Sequence, residues 1–359
     1  MRLSVKQVDF IRAFLFFFCS WLVMSAIFIV IRYYDANEPT GVPLGAFSLP
    51  LIILEGFFIS FIMAFISALV EPLSLKMVPK KIPFFIIVMI RTQRYLVFII
   101  FLYLVAVIVE NMIIDKIPFN QWPEVLSHTV KSKFFHLSVI YIIFANILIN
   151  SIRQMTRFLG ETVFWKYILG KYSTQNQDER IFMFIDLKSS TSIAEILDNI
   201  KFSLFLKKFY FEISFIINEH RGVVYQYVGD EVVIMWETPE GLSDDNCIAC
   251  FFEIKKCIED KKEEFLNEFG IIPEFRAAMH IGMSVAAEVG TFKNELAYHG
   301  NVLNTTSRIL AKCHELKSDL LLSGDLYKRI KNTRNFNIQK VGEFILRGKL
   351  NISELYSVK

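Results

Sequence analysis

Two aspartates placed 44 positions apart, Asp186 and Asp230, have the type and setting to hold divalent cations. Asp186 closes the apolar run 180–186 (RIFMFID), which reads as a buried strand. Asp230 follows Gly229 in a tight turn between the runs 222–227 and 231–236, a hairpin with an acid at its tip. Two carboxylates a few ångströms apart, with no basic residue between them, are costly unless a cation is bound. Hard oxygen ligands in small number suit Mg²⁺ or Mn²⁺, completed by water and substrate phosphates. Two such ions can clamp an in-line displacement at phosphorus. Asp186 is followed by Leu-Lys-Ser-Ser-Thr, which opens a helix, and the free N–H groups of a helix N-terminus favour phosphate. A lone aspartate there would read as a helix cap; a second one at the hairpin tip tips the reading to metal.

The elements that must bring these acids together follow from periodicity. Residues 190–219 form a long amphipathic helix that Asn199 could break, 244–269 a second helix, and 301–313 a third. Strands are expected at 274–282, 285–289 and 320–322, and in the tail 337–357. Strand, helix, hairpin, helix, strand is the split βαβ, ferredoxin-like arrangement of an α+β domain. In it, the end of the first strand lies beside the hairpin.

The rest of the chain is of another kind. Of 359 residues 53% are hydrophobic, with 36 Phe, and only 20 of the 75 charged residues fall in the first 150 positions. That step marks a membrane part followed by a polar part. Four stretches are apolar and long enough to cross the hydrocarbon core: 13–31, 48–70, 95–109 (starting earlier if 83–90 is included) and 134–152. The first is too long and too aromatic for a cleaved signal peptide, and no small-residue cleavage site follows it. Lys and Arg gather at Arg2, Lys6 and Arg12, at Lys76, Lys80 and Lys81, and at Arg153, Arg157 and Lys166. The loop 33–47 has neither. The bias puts both ends inside, which makes the polar domain cytoplasmic on an integral inner (plasma) membrane protein. Arg91 and Arg94 read either as snorkelling at the cytoplasmic edge of the third span or as functional charges. Glu55, His136, Asn146 and Asn150 stay open.

The expected organisation is therefore a helical transmembrane domain at 1–152, a connector at 153–178 and a polar α+β domain at 179–359, which carries the acids. The connector carries a helix-period apolar stripe interrupted by Gly160 and Gly170. It reads as a dimerising transducer or as a helix lying on the membrane surface.

Other features are bland. A net charge of +3 is too small to argue for nucleic acid. Five scattered cysteines make no disulfide framework, and Cys247-x-x-Cys250 lacks the second pair of a zinc site. His280 and His299 fall near the expected site without a required role. The sequence holds no Walker-type or dinucleotide glycine-rich loop.

Four segments, FIDLKSST (184–191), YQYVGDEVV (225–233), GNVLNTTSR (300–308) and LRGK (346–349), together resemble the catalytic domain of class III nucleotide cyclases, over about 175–357. The resemblance implies attack of a ribose 3′-oxygen on the α-phosphorus, giving a cyclic nucleotide and pyrophosphate. It implies that Asp186, Asp230 and the Leu187 carbonyl hold two Mg²⁺ or Mn²⁺, and that Ser189, Ser190 and Thr191 form a phosphate turn. Asn304 and Arg308 would orient the ribose and stabilise the transferring phosphate, and Lys349 would bind the terminal phosphates. In the family one domain supplies the aspartates and another the Asn/Arg pair. A single copy carrying both implies a homodimer with two shared sites. Gln226 and Ala297 occupy the base-reading positions and match neither the usual adenylyl nor the usual guanylyl pair. ATP is the expected substrate by analogy with simple membrane-anchored members, with GTP the alternative. A catalytically inactive cyclase-like nucleotide-binding or regulatory protein is a third reading, and a transporter-like role for the spans a fourth.

Overall fold

The computed structural model describes residues 5–37, 49–77, 83–113, 118, 121–131, 133–160, 164–165, 168–170, 177–292, 295–331, 336–349 and 351–359. Arg2, Lys80, Lys81, Val163 and Lys166 lie outside them. The chain divides into two compact units, Met1–Ile168 and Leu169–Lys359.

The first unit is helical. Its elements are α1 (Val5–Asn37), α2 (Leu49–Met77), α3 (Phe84–Ile113), α4 (Trp122–Lys131) and α5 (Lys133–Leu159). Four apolar windows are long enough to cross a membrane: Phe10–Ile31, Ile53–Glu71, Phe84–Phe101 and Phe135–Thr156. A helix is the natural solution there, because it satisfies each backbone group within its own segment. Three details differ from the sequence reading. The third helix takes the earlier start that the sequence allowed, at Phe84, so Arg91 lies inside it and is buried rather than at an edge. The amphipathic helix α4 falls in a stretch read as loop. Residues 153–159 continue α5 instead of beginning a separate connector helix. Polar groups are buried among the apolar ones. Arg153 of α5 makes a two-pronged ion pair with Glu71 of α2, Nε–Oε1 at 2.8 Å and Nη2–Oε2 at 3.1 Å. The Arg153 guanidinium also lies 5.2 Å from the Phe16 ring centre of α1.

The second unit is an α+β domain. In chain order its elements are β1 (Gln177–Leu187), α6 (Ser190–Glu219), β2 (Val223–Val228), β3 (Glu231–Glu237), α7 (Thr238–Leu242), α8 (Asn246–Asp260), α9 (Lys262–Phe269), β4 (Phe275–Val289), β5 (Glu295–His299), α10 (Asn301–Glu315), β6 (Leu320–Ser323), α11 (Gly324–Tyr327), β7 (Ile338–Ile345) and β8 (Ile352–Val358). The sheet order is β2-β3-β1-β4-β6-β8-β7, with β5 pairing β4. The run β2-β3-β1-β4 is the ferredoxin-like core. The expected strands 274–282 and 285–289 are one continuous strand, β4. The expected helix 244–269 is split into α8 and α9 after a 3₁₀ turn. The break in α6 falls at Asp198, whose side chain caps the N–H groups of Ile200 and Lys201 at 2.9 and 3.0 Å.

Strand parity sorts the core into two layers. Ile181, Met183, Ile185 and Leu187 of β1 face α6, α8 and α9, packing with Phe205, Phe209 and Phe251. Phe182 and Phe184 face the other way, with Ile309 and Leu310 of α10. Asp186 has even parity and therefore belongs to the α10 face, at the end of its strand.

Candidate active site

Asp186 stands at the crossing of two registers. It pairs with Glu231 on β3 and with Arg276 on β4. Alternation places all three side chains at one end of one face of three adjacent strands. Asp230 occupies the turn between β2 and β3, where Gly229 takes φ +62, a left-handed conformation that glycine adopts without steric cost. The Tyr210 hydroxyl on α6 donates to the Gly229 carbonyl at 2.8 Å, tying the hairpin tip to the helix. Its ring lies 4.5 Å from that of Tyr227.

The two aspartates meet, and the charge of each neighbour is felt. Burial holds the Asp186 carboxyl above its ordinary range; the Arg276 hydrogen bond opposes this and the Asp230 charge adds to it. Glu231 is pushed up to about 7, by burial first and then by the charges of Asp186 and Asp230. Burial, and then the Asp230 charge, also raise the Tyr210 hydroxyl. This is a cluster of surplus negative charge.

One expectation is corrected here. A basic residue does stand beside the acids: Arg276 donates Nε and Nη2 to Asp186 Oδ2 at 3.0 and 2.7 Å. Arg276 is 90 positions from Asp186, and only the β1–β4 register makes them neighbours. Glu231, Tyr210 and Arg276 were all missed by sequence reasoning. Glu231 adjoins a singled-out residue and carried a signal; the other two carried none.

Among the described residues no group of three or more His, Cys, Asp or Glu is arranged to hold a metal ion. The charge of Asp186 and Asp230 is nonetheless only partly met by one guanidinium, a setting that suits a hard divalent cation. The turn after Leu187 contains Ser189 at φ 56, left-handed and without a side-chain cap bond, followed by Ser190 and Thr191 in the first turn of α6.

The remaining expected residues lie elsewhere in the same chain. Val302, in the first turn of α10, packs on Gly282, and Gly282 pairs with Arg180. Arg180 is six positions from Asp186 along β1, about 20 Å at ~3.3 Å per residue. Asn304 is exposed on that first stretch of α10. Arg308 lies over Gly348, in the turn joining β7 and β8, three strands over from β1. A Cβ at Gly348 would meet the Arg308 Nη2 at 3.4 Å, and Gly348 takes φ +69. The glycine thus lets the guanidinium lie close on the turn. The next residue, Lys349, has its ammonium held below the usual lysine range, by burial first and by Arg308, with Asp325 opposing. Lys349 and Asp325 line a cavity of about 430 Å³ with His280, Gly282, Asn301 and Thr305. His280 is pushed down to about 4, chiefly by burial, and its Nδ1 shares a 2.7 Å hydrogen bond with Ser323.

Asp186 and Asp230 thus gather at the ends of β1 and the β2–β3 turn, while Arg308 and Lys349 gather at the turn joining β7 and β8. Gln226 is exposed on β2, and Ala297 of β5 pairs with Ala287 of β4. Their neighbours Tyr225 and Tyr298 touch, with ring centres 5.1 Å apart and the Tyr298 N–H donating to the Tyr225 hydroxyl at 3.2 Å. Cys247 and Cys250 are buried in α8, and burial pushes the Cys247 thiol up to about 12.

Residues 172–359 match the family model described as the adenylate and guanylate cyclase catalytic domain. The chain is 34% identical over 196 residues to adenylate cyclase 2 of Rhizobium meliloti (strain 1021), covering 55% of this chain and 54% of that protein. It is 26% identical over 182 residues to adenylate cyclase 1 of the same organism, covering 49% of this chain and 27% of that protein. The chain thus spans about half the length, or less, of the curated relatives it matches. A bacterial light-regulated adenylyl cyclase structure superposes with a TM-score of 0.52 at 16% identity, covering 64% of this chain and 67% of that one, a likeness of fold. With half of its length matched by the family model and the split βαβ core in place, the chain belongs to the adenylate and guanylate cyclase catalytic-domain family.

Proposed function

We propose that the protein is a membrane-anchored adenylate cyclase that converts ATP to 3′,5′-cyclic AMP and pyrophosphate, working as a homodimer with shared sites and its catalytic domain in the cytoplasm. The observation that carries this reading is the convergence of Asp186 and Asp230 at one end of the sheet, with Arg308 and Lys349 held at another place on the same chain. A second copy related by a two-fold axis would bring the basic half of one chain to the acidic half of the other, twice. The choice of ATP rests on the relatives named adenylate cyclase.

In this reading Asp186, Asp230 and the Leu187 carbonyl would hold two Mg²⁺ or Mn²⁺, which when bound would activate the attacking 3′-oxygen and neutralise charge on the pyrophosphate. The turn at Ser189, Ser190 and Thr191 offers N–H groups to the phosphates. Arg276, which bonds Asp186 on the same face, would also meet phosphate oxygens there, which a planar guanidinium suits. Asn304 orients the ribose. Arg308, fixed over Gly348, meets the charge that develops on the transferring phosphate, and Lys349 meets the terminal phosphates. Gln226, whose amide both donates and accepts, reads the purine edge beside the apolar Ala297. The four apolar helices anchor the protein in the inner membrane, and the positive residues flanking them place both ends inside. Residues 153–178 connect the anchor to the catalytic domain.

The test is turnover of the purified full chain with Mn²⁺ and either ATP or GTP, reading cyclic product. Preference for GTP would replace the adenylate reading with the guanylate one. An Asp230→Asn chain and an Arg308→Ala chain should each be inactive, and mixing them should restore part of the activity. Proven mixed dimers without rescue contradict shared sites.

A further inference from the structure

Lys188 sits between the Leu187 carbonyl and the left-handed Ser189, yet its side chain turns away from the acidic half-site. Its ammonium donates to Asp319 Oδ1 at 2.8 Å and lies 3.6 Å from Glu274 Oε2. Its backbone N–H donates to the Glu274 carbonyl at 2.8 Å. Asp319 in turn accepts from Lys255 of α8 at 2.7 Å, and its carbonyl accepts from the Ala277 N–H at 2.7 Å. The Asp319 carboxylate thus joins the turn after β1 to the helix α8, and its backbone carbonyl ties the start of β6 to the start of β4. Both lysine bonds hold Asp319 below its ordinary range against the effect of burial.

We propose that Lys188 and Asp319 are positioning residues for the cation and phosphate half-site, clamping the turn from Leu187 to Thr191 from beneath. The proposal rests on the cyclase reading above and adds to it two residues outside the expected set. The reason for such a clamp is local. Ser189 is held in a conformation that costs a non-glycine residue energy, and such strain persists only where the surroundings over-determine it. The turn must also keep the Leu187 carbonyl and the N–H groups of α6 aimed at the same place. A half-exposed ion pair contributes little to global stability. The clamp's effect is therefore expected in binding geometry rather than in the melting temperature.

The experiment compares Lys188→Met, Lys188→Arg, Asp319→Asn and the double variant Lys188→Met/Asp319→Asn in the purified full chain. Two quantities are read. One is affinity for Mn²⁺ alone, from loss of the free-ion electron paramagnetic resonance signal. The other is KM and kcat for Mn²⁺–ATP. Thermal melting shows that each variant is folded, and Lys262→Met, which removes an exposed pair with Glu259, serves as the control for loss of a surface ion pair. Lys188→Met and Asp319→Asn should each weaken Mn²⁺ binding and raise KM by about fivefold, the range of coupled neighbours. The double variant should lose no more than either single one, and Lys188→Arg should recover most of the loss. Folded variants with wild-type Mn²⁺ affinity and KM, or losses that simply multiply in the double variant, overturn the clamp. A wild-type chain that neither binds Mn²⁺ nor forms cyclic product overturns the cyclase reading instead, and the clamp falls with it.

Discussion

Arg276 places both Nε and Nη2 on a single carboxylate oxygen of Asp186, at 3.0 and 2.7 Å, across the β1–β4 register. In the metal-free chain this guanidinium stands in for part of the positive charge that the acids call for. Removing it leaves Asp186, Asp230 and Glu231 to repel one another. Arg276→Met should lower the melting temperature of the metal-free protein by about 3–6 °C, the equivalent of ~1.5 kcal/mol for a hydrogen bond to a charged group in a domain of this size. Saturating Mn²⁺ should raise the melting temperature more in the variant than in the wild type. Differential scanning fluorimetry with and without Mn²⁺ measures both, and an unchanged Mn²⁺ increment would contradict the account.

The same cluster sets a pH dependence. Burial, and then the charges of Asp186 and Asp230, push the Glu231 carboxyl up to about 7, and burial also raises Asp186. Between the unfolded and folded values the native state holds more protons than the unfolded chain, so stability falls as pH rises. Denaturant midpoints of the metal-free catalytic unit's transition should therefore decrease from pH 5 to pH 8, and Mn²⁺ should flatten the slope. A Glu231→Gln variant should show a shallower slope than the wild type. A slope of the opposite sign would show that these acids are not the controlling groups.

Gly348 supports Arg308 from below. Alanine there meets a left-handed φ of +69 and a guanidinium nitrogen 3.4 Å away. The backbone cost is about 1–2 kcal/mol, and Arg308 must shift as well. Gly348→Ala should remain folded, lose about tenfold or more in kcat because misplacement of a positioned group is costly, and change KM less. Mixed with an Arg308→Ala/Asp230→Asn chain it should give no rescue beyond its own activity, whereas mixed with Asp230→Asn it should. Steady-state kinetics on the mixtures checks this.

In the helical unit, Glu71 and Arg153 are a buried two-pronged pair between α2 and α5. Breaking one partner leaves a buried charge and costs about 3–5 kcal/mol. Glu71→Leu or Arg153→Met alone should destabilise the unit strongly in detergent. The double variant should recover most of the loss, since two apolar residues of similar volume replace the pair. Circular dichroism melts at 222 nm of all three variants form the cycle, and additive losses would count against a specific pair.

What could be read from the order of residues alone was whatever depends on local periodicity. Helix α6 begins and ends at the residues expected, Ser190 and Glu219, because its apolar spacing is continuous across the bend. The four apolar windows were visible because a bilayer demands length and composition, which are local properties. The hairpin tip at Asp230 was visible because glycine marks a turn. Tertiary structure alone decided which distant residues meet. The partnerships of Asp186 with Arg276, of Lys188 with Asp319, and of Glu71 with Arg153 span 90, 131 and 82 positions. Strand register, loop length and helix packing choose these partners, and none of them leaves a periodic trace along the chain. The placing of Arg308 over Gly348 has the same origin: helix α10 and the turn joining β7 and β8 meet through a sheet whose strand order departs from the order of the chain.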